Sequence, residues 1–490
     1  MAVLGAPRPQ NHPWRLRVSD FSPLVEELCP APDPESALVA LSGLPHCIFL
    51  DSALEHRELG RYSFLAADPF DYLEVPADGS DGLMRLEERL SGRSVPTPPD
   101  LPPFQGGAAG LFGYDLNRSL ERLPPPRCDE FGVPAMAVGL YDAVLAYDHH
   151  QRRSWLVSQG LPETTPVLRQ RRAEQRLAQF RNRLSTHCPC DTLVSRTRIP
   201  DVRSVPSHRL APQYSVTGFE GLTSNFSSDD YRQTVQRVVD YIYAGDVFQV
   251  NLSQRLLLPA RDDSIALYRR LRRRNAAPFA GYFDLGAFQI ISASPERFLR
   301  LSDGQVETRP IKGTRRRTLQ PEADLFAGDD LLHSEKDRAE NVMIVDLLRN
   351  DLSRVCAAES VCVTQLCELE IYRYVQHLVS AIRGNLEAGN TATDLLRASF
   401  PGGSITGAPK VRAMELIAEL EPTARGAYCG SLGYVGFDGS MDTSILIRTI
   451  TAGRGWWQLP VGGGVVAQSD PRAEYEETWH KATGLIKALQ

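Results

Sequence analysis

The chain has 490 residues, 42% of them hydrophobic and 23% charged, with a formal net charge of −6 at pH 7. That length and apolar content belong to a globular protein with a large core, and the acidic balance gives no general attraction to nucleic acid or anionic lipid. The most apolar stretch, Val133 to Tyr147, is too short to span a membrane and contains Asp142, and the first residues lack the basic start and apolar run of a secretory signal.

In chain order, Cys47 to Leu50, Tyr62 to Leu65 and Ala143 to Ala146 read as strands bounded by Asp, Gly and Pro. Residues 94–104 form a Pro-rich connection, and Pro166 to Leu184 reads as an amphipathic helix. An α+β region is therefore expected over 1–185. Residues 186–225 lose periodicity and read as a surface connection, leaving 226–490 as a catalytic domain. There Ser227-Ser228 caps a helix whose Val235, Val238, Val239 and Ile242 share a face. Val247 to Leu258, Phe288 to Ser294 and Gln305 to Arg309 follow as strands, with helices over 334–353, 409–420 and 473–489. The nine cysteines have no framework spacing, so reduced thiols and a cytoplasmic location are expected; Cys188-Pro-Cys190 has no second pair to complete a metal site.

Four constellations carry chemistry. Asp337 and Glu340 lie three apart on one helix, and Glu474 and Glu477 repeat the spacing on the last. If the helices converge, four carboxylates demand a cation, and an all-oxygen set points to Mg²⁺. On spacing alone, solvated acids favoured by helix dipoles are the commoner reading. Lys312 ends a strand at Arg309-Pro310-Ile311-Lys312-Gly313. A free lysine has only about one molecule in 2,500 neutral at pH 7, so a nucleophilic role needs burial or neighbouring cations. Glu296, after Pro295, suits a general acid if desolvated, or else a salt bridge to Arg297. Finally, the Gly-rich runs 402–407 and 462–464 lack the Walker ending, and either offers backbone N–H groups to a carboxylate or is merely a turn.

Seven segments together, GDVFQVNLSQR, ISASPERFL, TRPIKGT, HSEKDRAENVMIVDLLRNDLSRV, SFPGGSITGAPK, GSLGYVGFDGSMDTSILIRT and GGGVVAQSDPRAEYEET, resemble the chorismate-utilising enzyme family. The resemblance implies a large two-sheet β sandwich flanked by helices. It also separates branches. Water-adding members carry a lysine where this chain has Gln249, and anthranilate-forming members typically carry alanine where it has Lys312. The implied reaction is amination of chorismate to 4-amino-4-deoxychorismate, through attack of Lys312 at C2 with Glu296 as the acid.

By the same resemblance, Glu340 and Glu477, with Asp337 and Glu474 nearby, would hold Mg²⁺ against the substrate's ring carboxylate. Gly462, Gly463 and Gly464 would donate to a carboxylate, and Tyr434 and Arg448 would hold the enolpyruvyl carboxylate. Thr406, Gly407, Gln249 and His377 would line the pocket. No Gly-x-Cys-x-Gly surrounds any cysteine, so ammonia is expected from a separate glutamine amidotransferase subunit. Rival readings are an anthranilate-forming enzyme with Lys312 incidental, and a catalytically silent regulatory homologue. Asp51-Ser52 falls where the family has a tryptophan-associated site, with a departure from the inhibitor-sensing pattern.

Overall fold

Successive residues of a strand point to opposite faces, and Ile48–Asp51 is apolar on both. Ile48 joins the cluster of Phe64, Val144, Phe283 and Ile290, whereas Phe49 joins Leu38, Leu145, Phe180 and Tyr268. A strand of this kind must be covered on both sides. The computed structural model, which describes residues 21–54, 59–95, 97–186, 204–318, 320–372 and 375–490, shows how.

Two antiparallel sheets pack face to face, with thirteen and ten strands among the described residues. Ile48, Val144 and Ile290 of the first sheet meet Leu111, Leu432 and Tyr434 of the second in the sandwich interior. Helices Pro34–Leu41, Pro166–Thr186, Ser264–Arg274 and Pro471–Ala488 cover the outer face of the first sheet, and Trp457 packs beneath them. Ser228–Tyr243, Glu335–Ser353, Ala392–Ser399 and Lys410–Leu420 contribute to the other large cluster. This is the expected α+β sandwich.

Both sheets draw strands from either side of the 186–225 segment. Ile48–Asp51 lies between Tyr62–Ala66 and Phe279–Asp284, and Gly107–Phe112 lies between Met136–Tyr141 and Ser431–Gly436. Local signals set the helix starts. Ser227 accepts from the Asp230 N–H, Ser334 from Asp337 and Asp470 from Ala473. Among the described residues no helix is long and apolar enough to cross a membrane, and all seven described cysteines are free thiols. Cys188 and Cys190 lie outside the described residues.

Candidate active site

Ile311–Arg316 pairs with Val375–Asn385, but its register slips between Lys312 and Thr314 at Gly313, whose φ is +73°. Such a bulge re-aims the neighbouring side chain. Lys312 Nζ donates to the Ser404 carbonyl at 3.1 Å. Burial pulls the Lys312 ammonium below its ordinary range, against the opposing pull of Glu340 and Glu296.

Glu296 sits where the chain leaves Phe288–Ser294 for Arg297–Ser302, and it is 4% exposed. Its Oε1 accepts from Ser404 Oγ at 2.7 Å. Burial pushes the carboxyl up to about 7, with the Ser404 hydroxyl and Lys312 pulling the other way. The salt bridge to Arg297 does not form. Arg297 is taken by Asp442 at 3.1 Å and Glu307 at 3.2 Å, which leaves Glu296 as an acid able to hold its proton near neutrality.

The loop carrying Ser404 is pinned from several sides. Gly407–Ala408 pairs with Gln249 and Val250; a Cβ on Gly407, whose φ is +143°, would come 2.1 Å from the Gln249 carbonyl oxygen. Buried Arg425 pairs with Glu421 at 2.7 Å and donates to the carbonyls of Ile405 at 3.2 Å and Asn251 at 2.6 Å. Lys410 ties the loop's far end to Asp351 at 2.6 Å and to the Ser399 carbonyl at 2.8 Å. The Thr406 hydroxyl is turned into the loop, donating to the Gly402 carbonyl at 3.1 Å. Gln249 lies beside Gly464, where a Cβ would come 2.6 Å from its Nε2. Both of its amide atoms are buried without a hydrogen-bond partner among the described residues.

The acids of the last helix lie against the glycine strand, while Asp337 of the other helix lies against Gly313. A Cβ on Gly463 would lie 3.4 Å from Glu474 Oε2, 3.6 Å from Glu477 Oε1 and 3.3 Å from Lys481 Nζ. Gly462 and Gly464 flank it on Trp456–Val465. Lys481 pairs with Glu477 at 2.6 Å and Lys336 with Glu474 at 3.5 Å, while Asp337 faces Arg315 at 3.3 Å. Burial raises Glu340 and Glu474 above the usual carboxylate range; for Glu477 the lysines, Lys481 foremost, outweigh burial and lower it.

Among the described residues no three His, Cys, Asp or Glu stand close enough to hold an ion as they are. The donors nevertheless suit Mg²⁺. They are oxygen-only, and burial disfavours the charge on Glu340 and Glu474 even with lysines nearby, an imbalance that a divalent cation corrects.

Arg448, with φ +53°, donates to the Lys481 carbonyl, and its charge is felt by Glu477 and Tyr428. His377 lies opposite Thr314, with Nδ1 2.9 Å from its hydroxyl, and burial pulls it down to about 4, so it is neutral at pH 7.

Tyr434 lies elsewhere. It stacks on Phe104 at 4.4 Å and lines a separate cavity of about 400 Å³ with Asp51, Ser52 and Phe64. In that cavity wall Asp51 accepts from Tyr268 at 2.7 Å and from Arg272 at 2.6 Å. The tyrosine beside Arg448 is Tyr428, six residues earlier, which the sequence reading passed over. Tyr434 sits on the strand Ser431–Gly436, on the face it shares with Leu432 and turns into the sandwich, whereas Tyr428 lies in the turn before that strand and packs with the other large cluster. Ser404, Lys336 and Lys481 were also missed. Only Lys481 carried a local signal, its four-residue spacing from Glu477.

Comparison with known proteins places this geometry. The model of the chorismate binding enzyme family matches residues 53–487. The chain is 41% identical over 486 residues to aminodeoxychorismate synthase component 1 of Salmonella typhimurium, covering 96% of this chain and 99% of that one. It is 42% identical over 411 residues to anthranilate synthase component 1 of Thermus thermophilus, covering 84% and 83% respectively. The crystal structure of anthranilate synthase component I from Streptococcus pneumoniae superposes with a TM-score of 0.72 at 32% identity, over 88% of this chain and 93% of that one. The chain belongs to the chorismate binding enzyme family.

Proposed function

We propose that this chain aminates chorismate at C4, giving 4-amino-4-deoxychorismate. The observation that carries the reading is the pairing of a buried lysine with a buried carboxylic acid through one residue, Ser404. Identity alone does not separate the two branches, at 41% and 42%. Lys312 supports the aminating reading, because an amine at this point supplies a nucleophile that alanine lacks.

Lys312, deprotonated with the help of burial, attacks C2 of the ring, and the double bond shifts toward C4 as the hydroxyl leaves. Glu296 gives that hydroxyl its proton and departs from the step as carboxylate. Ammonia then bonds to C4, the double bond shifts back, and the C2–nitrogen bond breaks to return Lys312; Glu296 accepts the surplus proton. Gln249 offers its free amide to the substrate, and Arg448 with Tyr428 holds a carboxylate. Glu340 and Glu477, with Glu474 and Asp337 beside them, would hold Mg²⁺, which supplies charge neutralisation for the ring carboxylate.

The relatives named component 1 imply a second component; here it is a glutamine amidotransferase subunit delivering ammonia in the cytosol. The test is mass identification of the product from purified chain, chorismate, Mg²⁺ and an ammonium salt. Aminodeoxychorismate is expected. Fluorescent anthranilate would transfer the chain to the other branch, and unconsumed chorismate would leave it a silent homologue.

A further inference from the structure

Glu296, Lys312 and Ser404 come from three separate elements. Glu296 lies between two strands, Lys312 stands at a bulge, and Ser404 belongs to the short Gly403–Ile405 turn. Strand pairing alone does not set the distance between the carboxyl and the amine, since each side chain can rotate. The turn makes the connection. Its Oγ donates to Glu296 Oε1 at 2.7 Å, and its carbonyl accepts from Lys312 Nζ at 3.1 Å.

The turn itself has little freedom. A Cβ on Gly403 would come 2.6 Å from the Leu347 side chain, and Arg425 holds the next carbonyl, that of Ile405, at 3.2 Å. Ser404 is also 8% exposed, so water does not readily replace its hydroxyl.

We infer that Ser404 is a positioning residue that sets the acid and the nucleophile in one frame, its hydroxyl orienting the Glu296 carboxyl and its carbonyl orienting the Lys312 amine. This rests on the proposed amination. The serine need not touch substrate; it acts through its two neighbours. Removing the hydroxyl leaves the carbonyl in place, so the two functions separate. Ser404→Ala frees the acid while the lysine keeps its acceptor.

The test reads the acid directly. Besides Ser404, the groups that act on the Glu296 carboxyl are Lys312, the Ile311 N–H and, with a weaker mutual influence, Cys429. The carboxyl can be followed by infrared titration of the full chain and identified by the band lost in Glu296→Gln. Ser404→Ala removes a donor that favours the ionised form, so the midpoint is expected to move up by about one unit. With chorismate and ammonium salt, kcat is expected to fall about tenfold or more while KM stays within about twofold, and Ser404→Thr restores both readouts.

An unchanged midpoint with unchanged kcat in Ser404→Ala overturns the inference, as does a loss of kcat that Ser404→Thr does not rescue. If Ser404→Ala folds poorly, Ser404→Cys, with its weaker donor, must show the same upward shift, and a wild-type midpoint there overturns the inference too. Failure of the wild-type chain to aminate chorismate would instead remove the functional reading, and the infrared shift would still report on the tether.

Discussion

Lys481 Nζ stands 2.6 Å from Glu477 Oε1 and also donates to the Gly462 carbonyl at 2.9 Å. An ammonium there neutralises a carboxylate proposed to face a cation, so metal binding and this ion pair compete. Glu477→Gln is expected to weaken Mg²⁺ binding in calorimetry by about a hundredfold or more, and Glu340→Gln to do the same. A wild-type isotherm in either variant would exclude that carboxylate as a ligand.

Lys312→Ala is expected to reduce ammonium-dependent amination to background, and intact-mass measurement after quenching with chorismate should show an adduct only in the wild type. Full activity in the variant, with no adduct in the wild type, would remove the nucleophile role. Lys312→Met should raise Tm at pH 7, because a buried amine whose charged form is disfavoured is replaced by an apolar chain.

Glu296 makes stability pH-dependent in a definite direction. Its folded-state value is raised from 4.5 to about 7, so the folded chain binds the extra proton between those limits. Its contribution is fully present below 4.5 and is lost as pH rises through 7, a difference of up to about 3 kcal/mol. Glu296→Gln should therefore flatten the decline of unfolding free energy between pH 5 and about 8. An unaltered slope would show that the carboxyl titrates normally.

The two tyrosines make opposite predictions. Tyr428→Phe is expected to raise KM for chorismate by about tenfold, the loss of a hydrogen bond to a charged group. Tyr434→Phe should leave KM unchanged, because its ring faces the other cavity. The reverse result would restore the assignment read from the motif.

Trp457, almost completely buried where Trp456–Val465 meets the outer helices, should cost about 3–5 kcal/mol when replaced by alanine. Denaturant unfolding measures this, and a loss below about 1 kcal/mol would mean that the cluster collapses into the gap.

Much of this was readable in the chain itself. The periodicity of Val235, Val238 and Val239 and the cap at Ser227 are local patterns, and together they produced the helix they announce. Ser404 was not readable in this way. It is one hydroxyl in a Gly-rich run, and its partners lie 92 and 108 residues away. Tyr434 misled because two tyrosines share one short segment, one in a turn and the other on the strand that follows, and the turn residue is the one beside Arg448. The interleaving of the sheets was hidden for a related reason: antiparallel pairing between Ile48–Asp51 and Phe279–Asp284 leaves no mark in either strand.

That interleaving governs how the molecule is made. Ile48–Asp51 cannot complete its sheet until Phe279–Asp284 has been synthesised, and Gly107–Phe112 waits for Ser431–Gly436. Until then the ribosome holds a nascent chain with strand edges open and apolar faces bare, the species most prone to aggregate. Such distant pairings make for slow folding. A chaperone, or coexpression at low temperature, should thus raise the yield of active protein more than any change at the catalytic centre.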